Sequence, residues 1–111
     1  MPYVLNGRSV DVDEEPTVRE GRNYVPLEAV VQNLGGTVTW EDATKTARAT
    51  IGQWTAAVQM ANPVVDVSGT RVTLADAPYI ENDTMYVPWY FFRDAFGYKV
   101  EMEGDTLNVH L

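Results

Sequence analysis

The sequence predicts a β-rich α+β fold: two pseudo-repeats of hairpin, short helix and hairpin, merged into one compact domain. Three observations carry this expectation. Shifting the chain by 62 residues brings its landmarks into coincidence. Each copy opens with two alternating apolar segments around a tight turn. Each copy then places a short apolar stripe at helical spacing between a proline and a glycine.

The coincidences are specific. Gly7 falls on Gly69, Val10 on Val72, Val18 on Ile80 and Gly35 on Gly97. Tyr24-Val25-Pro26 falls on Tyr86-Val87-Pro88, and Trp40 on Met102. The matched residues are turn formers and buried types, so the repeat is read as structural. Repeat one is placed at 3–51, a connecting strand at 52–64 and repeat two at 65–111, within a single domain over 1–111.

Taken in order, Tyr3-Val4-Leu5, the turn Asn6-Gly7 and Arg8–Val12 read as a hairpin, because Asn-Gly accepts the positive φ of a type I′ turn. A loop then leads to Tyr24-Val25-Pro26. Proline suits a first helical position, so a helix is expected from about Pro26 to Leu34. Leu27, Val30, Val31 and Leu34 form its apolar stripe. Gly35-Gly36 ends it, since glycine tolerates the left-handed cap. A second hairpin is expected over Thr37–Glu41 and Thr46–Ile51, then one more strand over Gln53–Met60. Val65–Val67, Ser68-Gly69 and Arg71–Leu74 open the second copy on the same plan. A nine-residue helix is marginal alone, so the two copies are expected to share one core.

Composition narrows the functions. The chain has 111 residues, of which 45% are hydrophobic and 22% charged, which suits a folded domain. Its net charge of −8 argues against a general grip on nucleic-acid phosphates. There is no cysteine and one histidine, so no conventional zinc or copper site is expected from this chain. No apolar run approaches the roughly 18 residues of a membrane span. Met1-Pro2-Tyr3-Val4 shows no basic segment followed by an apolar one, so no signal peptide is expected in this stretch.

Gly21-Arg22-Asn23-Tyr24-Val25-Pro26-Leu27, followed by Leu34-Gly35-Gly36-Thr37-Val38-Thr39-Trp40, resembles the copper amine oxidase N-terminal-like domain, or bacterial stalk domain. Asn6-Gly7, Pro16, Lys45 and Ile51 occupy further positions of that pattern. Copy two departs from it, with Asn82-Asp83-Thr84-Met85 in place of the Gly-Arg motif. The arginine usual after Val-Pro-Leu is Glu28 here, and Tyr90 in copy two. The resemblance implies a non-catalytic domain, because copper and amine oxidation belong to a separate domain of the oxidase. It also implies an extracellular or cell-surface location, no cofactor, and a spacing or anchoring role.

Among candidate sites, Ser9, Ser68 and His110 suggest no nucleophilic constellation, and His110 is expected to face solvent while Leu107, Val109 and Leu111 point inward. The carboxylates of Asp11, Asp13, Glu14, Glu15, Glu41, Asp42, Glu81 and Asp83 read as a solvated acidic surface. Asp11–Glu15 is also a weak calcium candidate. Trp89-Tyr90-Phe91-Phe92 is the sharpest feature. Alignment on copy one places Trp89, Phe92 and Phe96 in the core, turns Tyr90 outward and leaves Phe91 at the edge. Tyr90 and Phe91, with Trp54 beside a turn, are therefore the candidate contact for cell-wall glycan or another surface protein, the alternative being that these rings pack against the other copy or the Gln53–Met60 strand. Trp40 is expected in the core or on a sheet face. Tyr24, Pro26, Gly35, Tyr86, Pro88 and Gly97 are structural positions, the tyrosine hydroxyls bonded to nearby backbone. Arg22 is expected to bridge loop carbonyls or a carboxylate. The alternative function is a structural protein that self-associates through edge strands or the aromatic patch.

Overall fold

A computed structural model describes residues 3–10, 17–104 and 106–111. The Asp11–Glu15 calcium candidate, Val12 and Pro16 lie outside the described residues.

β1 (Tyr3–Leu5) and β2 (Arg8–Val10) form the first hairpin, with Asn6 and Gly7 at φ of 51° and 83°. β3 (Thr17–Arg19) and β4 (Arg22–Pro26) form a second hairpin where only a loop was expected. Its turn, Glu20-Gly21, also has positive φ at both residues. Thr17-Val18-Arg19 holds a single apolar residue and Glu20-Gly21 is not an Asn-Gly type of turn pair, which is why this hairpin was not legible.

Pro26 is extended and caps α1 (Leu27–Asn33), so the helix starts one residue later than expected. Leu27, Val30 and Val31 are buried, each worth about 1.5–3 kcal/mol on complete burial. Gly36 packs against the Thr50 carbonyl and the Val31 side chain. β5 (Thr37–Glu41) and β6 (Thr46–Ile51) pair antiparallel, and β7 (Trp54–Gln59) follows.

β8 (Val64–Val67) and β9 (Thr70–Thr73) pair across Ser68-Gly69. β10 (Tyr79–Glu81) and β11 (Thr84–Pro88) turn at Asn82-Asp83, again with positive φ at both residues. α2 (Phe91–Phe96), β12 (Lys99–Glu103) and β13 (Thr106–His110) complete the chain, with Gly97 in the left-handed cap of α2.

Among the described residues the fold is β-rich, with three sheets and two short helices. One sheet has the order β12-β13-β1-β2, a second β10-β11-β4-β3, and a third β5-β6-β7-β8-β9. Both ends of the chain therefore meet in the first sheet, and β4 meets β11 at the centre of the second. One main buried cluster draws on both halves, from Tyr3, Leu5 and Val30 to Phe92, Leu107 and Val109. α1 packs on β4, β5, β6 and β11, while α2 packs on β8 and β12. Neither helix is stable by its own length; besides its flanking strands, each is held by one remote in sequence, β11 for α1 and β8 for α2. Among the described residues, no helix is long and apolar enough to cross a membrane.

Candidate functional site

The expected aromatic contact does not form as a unit. Tyr90 is 9% exposed and Phe91 is fully buried, so neither offers a surface. The correction lies in the helix start. α1 begins directly after Pro26, but Trp89 and Tyr90 intervene between Pro88 and α2. Tyr90 becomes the N-cap of α2, with φ −85° and ψ 2°. That change of register turns Phe91 into the core beside Phe92, their rings in edge contact. Trp89 and Phe96 are only partly buried against the same core.

The Tyr90 hydroxyl reaches the segment after β9. It donates to Asp76 Oδ2 at 2.8 Å and accepts from the Asp76 backbone N–H at 3.0 Å. Burial first, and then the Asp76 carboxylate, push this phenol up to about 12. Arg22 Nε lies 3.3 Å from Asp76 Oδ1, and the Tyr24 hydroxyl donates to the Ala77 carbonyl at 2.9 Å. Residues 22, 24 and 90 thus hold one segment of loop. Tyr24, Tyr79 and Tyr86 form a second, smaller buried cluster. Arg19 stacks over the Tyr79 ring at 4.1 Å, while the Tyr79 hydroxyl bonds Thr17 Oγ1 at 2.8 Å. These contacts brace the second sheet.

Trp54 is exposed and lies in a shallow apolar depression with Val67, Val72 and Phe96. A larger groove, of about 620 Å³, runs between α1 and β5. Its volume is within the range of small-molecule clefts. Glu28 and Gln32, four apart on α1, line one wall. Val38 and Trp40, alternate residues of β5, line the other. Leu27, Ala47 and Met85 lie between, and Met60, Asp83, Thr84, Asp42 and Lys45 border the ends.

Trp40 is 47% exposed, so it lies on a face of β5 and not in the core. β5 is an edge strand, and α1, at seven residues, is too short to cover the indole. Lys45 Nζ bonds Asp42 Oδ1 at 3.0 Å. That bond and the lysine charge, with a smaller contribution from the Trp40 indole, hold the Asp42 carboxyl below its usual range. Lys45 is thereby engaged, which leaves Glu28 and Asp83 to set an acidic character. No sequence rule singled out Trp40. The available signal was a tryptophan on the fifth strand beside a short helix, and it required knowing that the strand is an edge.

The copper amine oxidase N-terminal domain family model matches residues 4–111. The chain belongs to this family. No curated protein matches the sequence. The resemblance read from Gly21–Leu27 and Leu34–Trp40 is therefore the correct family, and these residues lie on the β3–β4 turn, β4, α1 and β5.

The family name raises the question of copper, and the donors of this domain do not fit it. The sequence has a single histidine and no cysteine. His110 Nε2 lies 3.5 Å from Glu101 Oε1, and its Nδ1 lies 3.2 Å from the Leu111 carbonyl. No group of three metal-ligating side chains gathers among the described residues. A copper centre would need several such ligands in one place. Leu111, expected to point inward with Leu107 and Val109, follows the end of β13 and is 81% exposed. Glu41, Asp42, Glu81 and Asp83 are all exposed.

Proposed function

We propose that this domain is a non-catalytic accessory module of a bacterial surface protein. It spaces or anchors its parent outside the cell and holds an uncharged stretch of cell-wall glycan in the Trp40 groove. The observation that carries this reading is Trp40 itself, a half-exposed indole on the wall of the groove between α1 and β5. Sugar rings present C–H faces that stack on aromatic rings, and their hydroxyls bond carboxylates and amides. The groove offers both kinds of group, the indole on one side and Glu28 and Gln32 opposite. Its acidic border repels phosphate-bearing polymers, so a neutral glycan is the better fit.

The architecture also supports reading the chain as two copies of one unit. Val25 and Val87, equivalent under the repeat, pair directly where β4 meets β11. Tyr24 then faces Pro88, and Pro26 faces Tyr86, so the pairing is symmetric about the valines.

The test is co-sedimentation with bacterial sacculi stripped of anionic polymer, beside a wall-free control. The wild type pellets only with wall, and added salt changes this little. Trp40→Ala loses pelleting while costing only about 1–2 kcal/mol of stability, because the ring is half exposed. Trp54→Ala, on a separate depression, pellets like the wild type. Unchanged pelleting of Trp40→Ala overturns the groove reading. Pelleting without wall favours self-association instead.

A further inference from the structure

We propose that β1 and β13 form a shear clamp, so that the domain bears tension applied along its chain. This goes beyond the glycan reading and does not depend on what occupies the groove.

β1 and β13 are neighbours and run parallel, with Tyr3 opposite Leu107 and Leu5 opposite Val109. Every other strand pairing among the described residues is antiparallel. The parallel direction decides the mechanics. Tension enters at Tyr3, the leading end of β1, and leaves at His110, the trailing end of β13. Those ends lie at opposite extremes of the pair. Pulling them apart slides one strand along the other and loads the bonds between them together. In an antiparallel pair the loaded ends would lie side by side, and the bonds would break one after another.

The placement of the pair strengthens the effect. Both strands are internal to their sheet, with β12 outside β13 and β2 outside β1. Tyr3, Leu5, Leu107 and Val109 are all fully buried, so water has poor access to compete for the bonds on that face. The pairing is extended past β1 by the Asn6 N–H, which donates to the Val109 carbonyl at 2.8 Å. Because the clamp joins the first strand to the last, the intervening chain carries no load until it fails.

Single-molecule pulling tests this without changing the fold. The chain has no cysteine, so handles can be placed uniquely. One arm pulls the domain by its two ends within a polyprotein. The other pulls between cysteines in the double variant Gln53→Cys, Thr70→Cys, both exposed positions. Gln53 precedes β7 and Thr70 opens β9, at the same end of the third sheet. That geometry peels strands apart sideways. Forced rupture reports the barrier along the pulling direction rather than equilibrium stability, so two directions in a protein of equal melting temperature isolate the clamp. The expected result is a severalfold higher force between the ends, in one step that releases about 350 Å of chain. Equal forces in the two directions, or stepwise low-force peeling from the ends, would overturn the proposal.

Discussion

Tyr90 and Asp76 are bonded twice: the phenol donates to the carboxylate at 2.8 Å, and the Asp76 backbone N–H donates to the phenol oxygen at 3.0 Å. A residue expected on the surface is thus the tie between the start of α2 and the segment after β9. Arg22 meets the same carboxylate from the start of β4.

Three substitutions separate the parts of this tie. Tyr90→Phe keeps the ring and strands the Asp76 groups, at a cost of about 1–3 kcal/mol. Tyr90→Ala also leaves a cavity, and about 3–5 kcal/mol is expected. Arg22→Ala removes a largely exposed ion pair and costs under about 1 kcal/mol. Urea denaturation of the three variants gives this order. A cost for Tyr90→Ala as small as that of Arg22→Ala would contradict the buried position.

Alkaline pH should weaken the fold through the same phenol. Tyr90 is raised to about 12 from an ordinary value of 10.0, and burial raises Tyr24 and Tyr98 as well. A phenol raised in the fold binds its proton more tightly folded than unfolded. The stability it contributes is complete below about pH 10 and is lost as pH climbs from about 10 to about 12. Urea midpoints across that window should fall, and they should fall less steeply in Tyr90→Phe. An identical slope in the variant would remove Tyr90 as a source of the effect.

The two glycines after α1 should resist substitution for different reasons. A Cβ on Gly36 would run into the Thr50 carbonyl oxygen and come within 2.8 Å of Val31 Cγ1. Gly36→Ala is expected to cost about 1–3 kcal/mol, as overpacking does. Gly35 faces open space but holds φ at +89°. Gly35→Ala is expected to cost about 1–2 kcal/mol of backbone strain alone. Gly35→Asn, which tolerates that region better, should recover part of the loss in a thermal melt, whereas Gly36→Asn should be worse than Gly36→Ala.

What the sequence determined by itself was local. Asn6-Gly7 and Ser68-Gly69 bend where such pairs bend, because positive φ is a property of the residues in the turn. The Leu27, Val30, Val31 and Leu34 stripe, the β5–β6 hairpin bounds and the family all follow from short-range spacing. The β3–β4 and β10–β11 hairpins escaped because their turns, Glu20-Gly21 and Asn82-Asp83, lack the Asn-Gly or Ser-Gly pair that marked the other two. Tertiary structure alone decided the rest. It set β1 beside β13 and Val25 opposite Val87, pairings that depend on which surfaces bury one another across the whole chain. It turned Tyr90 inward, since α2 starts only at Phe91 and leaves Tyr90 as its N-cap, with the hydroxyl tied to Asp76. It left Trp40 uncovered, because the exposure of an edge-strand residue is set by the length of the element above it, not by the residue.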